Sequence, residues 1–516
     1  FKMSFAPFRL LFDGGQRTGV AILFAALLAV LAAPFVLRRP GELAPAGARS
    51  IVVLSPHTEA VRYEFERAFS AWHEMQYGEP VDVDWRSIGG TSEIVRYMDG
   101  EFEAAGKARR EGIGVDLFFG GGQYDHARQA DRGHTVACGV RERHPEWLAG
   151  TIITQDFSGE CYYDPGDRWY GACLSGFGLC YNTDVLAGPG MPPAPRAWAD
   201  LARPEFRGRL ALADPAKSGS INKAFEMVIQ ERMAEQVLAQ GRALEQATED
   251  DLAAGWRGAL GLVRALGANA RYFTDSAGKV PLDVAQGNAA AGMCIDFYGR
   301  FESEAVFNAE GSRRLQYLTP GGGSSISVDP IAILKGAPNR AMAERFVDFV
   351  LSEEGQRLWN YRVGEPGGPV RYALRRLPVR KDLYTAAHRS HMSDPDVMPY
   401  EQNKGFTYYP AWTAHLFGFI RLLIRSACID THDELVRAWI AIIEAGGPEA
   451  CPEAMLAFDA LPPDAEYAAA RSAAEMMKDK LQEAKITRDW IVFFRARYRE
   501  AERLARSSLK AEGRGE

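Results

Sequence analysis

The chain of 516 residues is poor in the groups that hydrolases, nucleotide enzymes and metal sites need. It has no G-x-S-x-G elbow to expose a serine nucleophile, no H-E-x-x-H pair for zinc, and no G-x-x-x-x-G-K-[ST] loop to cradle phosphates. Its aspartates are too scattered to nominate a general acid/base pair, so an enzyme is not expected. Seven cysteines (138, 161, 173, 180, 294, 428 and 451) show neither C-x-x-C nor zinc-type spacing. Their odd number leaves at least one free, and buried thiols account for most of them. A basic excess is missing too: 60 Lys and Arg against 67 Asp and Glu give a net charge of -7, which argues against a general nucleic-acid binder. Local basic clusters, "VRYALRRLPVRKDLY" (370–384) and the C-terminus, read as solvated surface.

What is present begins with an apolar run. Between Arg17 and Arg38 lie 20 uncharged residues, "TGVAILFAALLAVLAAPFVL". About 20 apolar residues span a bilayer, whereas the core of a signal peptide takes about 7–15. An N-terminal transmembrane helix is therefore expected, with a cleaved signal as the alternative. Lys2, Arg9 and Arg17 precede the run and Arg38 and Arg39 follow it, so the positive-inside count does not orient it. "RPGELAPAGARS" (39–50) reads as a flexible spacer.

Beyond the spacer one pattern recurs: a short strand, a loop of small and hydroxyl residues, then a helix. "IVVL" (51–54) meets "SPHTEAVRYEFERAFSAW", in which Val61, Phe65, Phe69 and Trp72 recur at helical spacing. "VDVDW" (81–85) meets Gly89, Gly90, Thr91 and Ser92; "VDLFF" meets Gly120, Gly121 and Gly122; "RLALAD" meets "PAKSGSINKAF"; and "AAGMCID" meets "FYGRFESEAV". Strands alternating with helices predict an α/β protein with largely parallel sheets. Small residues between a strand's carboxyl end and a helix's amino end leave free backbone N–H groups beside a positive dipole end. One such loop is as well explained by a tight turn; several argue for a cleft that holds a polar, anionic ligand. The triple glycine lacks the Lys-Ser/Thr of a P-loop and has Asp125 where a dinucleotide fingerprint wants glycine.

At "SISVDPIAILKGAPNRAMAERFVDFVLSEEGQRLW" (325–359) the chain resembles bacterial extracellular solute-binding proteins, the ligand-capturing partners of ABC transporters. "SPHTEAVRYEFERAF", "GVDLFFGGG", "SGFGLCYNTDVL" and "ADPAKSGS" agree in order, so the resemblance spans residues 51–380. It implies a two-lobed, type 2 periplasmic-binding-protein-like fold, with crossings near 168–182 and 315–330. The expected division is an anchor or signal and spacer (1–50), a first lobe (51–167 and 316–384), a second lobe (168–315) and a helical C-terminal extension (385–516). It also implies a place on the periplasmic side of the cytoplasmic membrane, anchored by the N-terminal helix, or free in the periplasm if that helix is cleaved.

The implied function is capture of a small polar, anionic solute for an ABC permease, without turnover and without a cofactor. The ligand-binding candidates are Ser55, His57, Thr58, Gly90, Thr91, Ser92, Gly121, Gly122, Ser218, Gly219, Ser220, Asp296 and Tyr298. The nearest branch resembles ferric-ion binders, in which a first-loop histidine and adjacent tyrosines bind the metal. Here His57 and Tyr298 match, but Phe297 replaces the second phenolate. Ferric ion as the transported ligand, and a ligand-sensing scaffold, stand as alternatives. The C-terminal helices read either as an intramolecular buttress or as a docking surface for a partner.

Overall fold

The computed structural model describes residues 49–307, 311–402 and 405–512. The expected membrane span between Arg17 and Arg38 lies outside them. Three buried strands open the chain: β1 (Arg49–Leu54), β2 (Val81–Arg86) and β3 (Leu117–Phe119), with β1 in the middle and parallel to both neighbours. Each is followed by a helix, α1 (Glu59–Tyr77), α2 (Thr91–Lys107) and α3 (Gln123–Asp131). The apolar stripe of α1 buries Phe65 and Phe69 against Phe119, Phe346 and Trp359, which forms the first lobe's core.

The long strand β4 (Tyr170–Asn182) then leaves this lobe. Its first half pairs with β9 (Ile326–Leu334), and its second half with β7 (Ala291–Ile295) and β8 (Leu315–Leu318) of the second lobe. There β7 is parallel to β5 (Leu210–Ala213), and β5 to β6 (Ala270–Thr274). The second crossing is the segment between β8 and β9. The sheets are therefore mixed rather than largely parallel, as the strand and helix alternation alone suggests. The reason is connectivity: strands that carry the chain out of one lobe and back run against their neighbours in both.

The helices after residue 405 are not appended to the second lobe; they complete its core. Trp256 donates to the Ala465 carbonyl at 3.0 Å, Trp439 to Asn269 at 3.0 Å, and Tyr498 to the Ala427 carbonyl at 2.9 Å. Trp198, Trp256, Trp490, Phe494 and Tyr498 share one buried cluster. Residues just before these helices belong to the first lobe, where Tyr400 donates to the Val379 carbonyl at 2.6 Å. The backbone of Tyr408 bonds Ser158 of the first lobe, and the next carbonyl accepts from Gln230 of the second. The chain thus crosses between the lobes a third time. Among the described residues one helical stretch, Pro410–Ile429, has the length and apolarity of a membrane span, with 61% of it buried, here inside the second lobe's core. Six of the seven cysteines are buried, Cys161 being half-buried.

Candidate functional site

The triple-glycine loop shows what its glycines are for. Gly120 and Gly121 adopt φ of +94° and +95°, a left-handed region that side chains rarely enter. A Cβ on Gly120 would lie 2.7 Å from the His57 ring, and one on Gly121 2.7 Å from the Thr91 methyl. The loop is glycine so that the β1 and β2 loops can close against it. It is then pinned: the Gly120 N–H donates to the Pro330 carbonyl at 2.8 Å, and its carbonyl meets His126 Nε2 at 3.0 Å. Burial holds His126 down to about 4, so it is neutral, and it stacks on Phe118 at 4.1 Å.

This pinning presents three helix starts to one cavity of about 760 Å³ between the lobes. Thr91 begins α2, and Gly122 precedes α3; both come from the first lobe. Gly219 and Ser220 begin α4 (Gly219–Ala239) of the second lobe. The first N–H groups of a helix lack intrahelical acceptors and sit at its positive dipole end, and all three starts line this one cavity. Lys223, one turn into α4, also lines the wall. Burial works against its charge, but Glu160 at 2.9 Å and Glu226 at 3.0 Å outweigh this and hold its pKa above the usual lysine range. The Glu160 contact also ties the two lobes together.

Five of the thirteen sequence candidates therefore share the wall: Thr91, Gly121, Gly122, Gly219 and Ser220. The other eight lie off it, and their chemistry explains why. Ser55 is buried and accepts from the His57 N–H at 3.1 Å. Thr58 and Gly90 are exposed N-cap residues. Ser92 stands one residue inside α2 and is half-buried. Ser218 turns its hydroxyl inward to cap α4 at Ile221, 3.4 Å away. Asp296 is consumed by Arg300 at 2.7 Å and by the Phe297 N–H at 2.8 Å.

His57 and Tyr298 meet around a residue the sequence reading passed over. Arg376, with Arg375 and Arg380, is buried rather than part of a solvated surface, because each guanidinium reaches an aspartate: Asp329, Asp394 and Asp382. Arg376 lies 2.5 Å from Asp329 and 3.3 Å from His57 Nε2, and its guanidinium covers the Phe297 ring at 4.0 Å. Burial opposes the charge of Arg376, yet Asp329 keeps it fully protonated. Burial first, and then this cation, push His57 well below its usual range, so the imidazole is neutral. Nε2 accepts from Arg376, leaving Nδ1 without a partner among the described residues. Burial also raises Tyr298, which keeps its phenol protonated. The available signal was the interleaving of Leu374, Leu377 and Val379 with the arginines, since those apolar residues are all buried.

Among the described residues no group of three or more His, Cys, Asp and Glu is placed to hold a metal ion. A cation beside both His57 and Tyr298 makes that pair a poor ferric site.

Residues 171–361 match the sequence profile of the family described as bacterial extracellular solute-binding protein. An uncharacterised Haemophilus influenzae protein is 25% identical over 290 residues, 55% of this chain and 69% of that protein. The Salmonella typhimurium phosphoglycerate transport regulatory protein PgtC is 24% identical over 185 residues, 36% of this chain and 39% of PgtC. In three dimensions the chain is similar to the periplasmic binding protein AfuA of Actinobacillus pleuropneumoniae, solved with exogenous fructose-6-phosphate bound. The TM-score is 0.51 at 19% identity, covering 77% of this chain and 99% of AfuA. With two lobes joined by crossing strands and a cavity between them, the chain has the type 2 periplasmic-binding fold, and its crossings and second lobe match the family of bacterial extracellular solute-binding proteins.

Proposed function

We propose that the chain captures a small anionic solute, phosphorylated or carboxylated, in the interlobe cavity and delivers it to an ABC permease without chemical change. The observation that carries this reading is the convergence of three helix amino ends, two from one lobe and one from the other, on a single wall. Such ends bind anions through backbone N–H groups and the helix dipole. Ligand contacts divided between lobes favour closure around the solute. The names of PgtC and of the AfuA complex, each carrying a phosphorylated compound, support the class. The ferric alternative is weakened by Arg376 between the two candidate ligands and by Phe297 under its guanidinium.

Thermal unfolding with 3-phosphoglycerate, inorganic phosphate or ferric citrate tests the proposal. The expected outcome is a higher Tm with a phosphate-bearing solute and no visible band with iron. A tyrosinate-to-iron charge-transfer band that disappears in Tyr298→Phe would sink the anion reading in favour of iron.

A further inference from the structure

The cavity has a third wall, supplied by the C-terminal helices that complete the second lobe. Phe417, Gly418 and Arg421 reach it from the helix Phe417–Ile424, and Lys478 from the turn beyond Tyr467–Met476. All four lie outside the segment that matches the family profile. The wall is built rather than incidental. The same helix buries Phe419, Ile420, Leu423 and Ile424 in the second lobe's core. Asn222 of α4 donates to the Phe417 carbonyl at 2.8 Å, and the Phe417 ring packs on Tyr124 of α3 at 4.8 Å. The backbone that carries Arg421 is thereby held against both lobes.

Six cations line the cavity, and five of them have carboxylate partners. Arg128 and Arg132 share Asp99, Lys223 has Glu160 and Glu226, Lys478 has Glu475, and Lys480 has Glu483. The remaining one is Arg421, for which no carboxylate lies within ion-pair distance among the described residues. A half-buried guanidinium with its fork unused is suited to two parallel hydrogen bonds with a carboxylate or phosphate.

We infer that Arg421 receives a second anionic group of the solute, while the converging helix starts hold the first. The C-terminal extension thus sets specificity as well as completing the core, selecting solutes with two separated anionic groups. This rests on the reading of the cavity as an anion receptor.

Calorimetric titration of the full chain with inorganic phosphate and with 3-phosphoglycerate, which bears a phosphate and a carboxylate, tests it. Wild type is expected to bind 3-phosphoglycerate more tightly than phosphate. Arg421→Gln should weaken 3-phosphoglycerate by about 10–100-fold, the range for a lost hydrogen-bonded charge, and phosphate by less than about threefold. Arg421→Lys should recover part of the loss, since it restores charge but not the fork. The Tm of the unliganded variant should stay near that of wild type, because Arg421 holds no carboxylate at ion-pair distance and the longer-range neighbour Asp125 can answer its loss by keeping a proton. Equal weakening of both probes, or affinity for 3-phosphoglycerate unchanged in Arg421→Gln, overturns the inference while leaving the receptor reading intact. A wild-type chain that binds neither probe overturns the anion reading itself, and this inference with it.

Discussion

Asp125 stands on the cavity wall at the start of α3 with its carboxyl pushed up to about 6. Burial is the main cause, Arg421 and Arg128 pull it back, and Asp99 adds to it. The folded state therefore holds this proton to higher pH than the unfolded chain, whose carboxyl titrates near 3.8. The sign follows from linkage: this group destabilises the fold increasingly as pH rises from the unfolded value to about 6, and by a constant amount above it. Asp125→Asn is expected to raise stability near pH 8 and to change little near pH 4, as urea unfolding at the two pH values would show. A variant equally stabilised at both would refute the shifted carboxyl. Arg376 illustrates the opposite balance, in which a buried charge is retained because its aspartate outweighs desolvation.

At the scale of elements, the unit is a strand that ends in a loop whose small residues let three helix starts approach. The three glycines of one such loop are not equivalent. Gly120 is left-handed and abuts His57, whereas Gly122 has φ of -100° and its nearest neighbour to an added Cβ is 3.8 Å away. Gly120→Ala should cost about 1–3 kcal/mol from strain at the forced backbone conformation, while Gly122→Ala should be nearly neutral. Denaturant midpoints of the two variants check this, and similar losses at both sites would show that ring contact and backbone handedness do not govern the loop. The reading of these loops as cleft-facing was available from composition, because glycine and hydroxyl residues recur where strands end. Which hydroxyls turn inward to cap was not available: Ser218 and Ser220 are chemically alike, and only the path of α4 separates them.

For the whole molecule, the decisive feature is that the second lobe has no finished core without the C-terminal helices. Trp490, 26 residues from the end of the chain, is 1% exposed, packs on Phe419 at 5.0 Å, and bonds Asp464 at 2.8 Å. Trp490→Ala is expected to lower stability by about 3–5 kcal/mol, the range for emptying a large aromatic site. Urea unfolding followed by circular dichroism measures it. A loss under about 1 kcal/mol would mean the extension is dispensable for the lobe. The third crossing near Tyr408 adds to the two strand connections and runs beside the cavity.

Local sequence determined the elements and their class: apolar runs of branched residues make strands, helical periodicity makes α1, and the motifs between 171 and 361 carry the match to the family of solute-binding proteins. These follow from nearest-neighbour spacing and solvent preference, which a sequence states directly. Strand direction, the burial of Arg375, Arg376 and Arg380, and the joining of Arg421 to a cavity built mainly by residues 91–329 depend on contacts between distant segments. A charged side chain looks the same in sequence whether water or an aspartate compensates it. Only the tertiary structure, by bringing Asp329 to Arg376 and leaving Arg421 without a carboxylate at ion-pair distance among the described residues, decided which cation is paired in the core and which stands unpaired on the cavity wall.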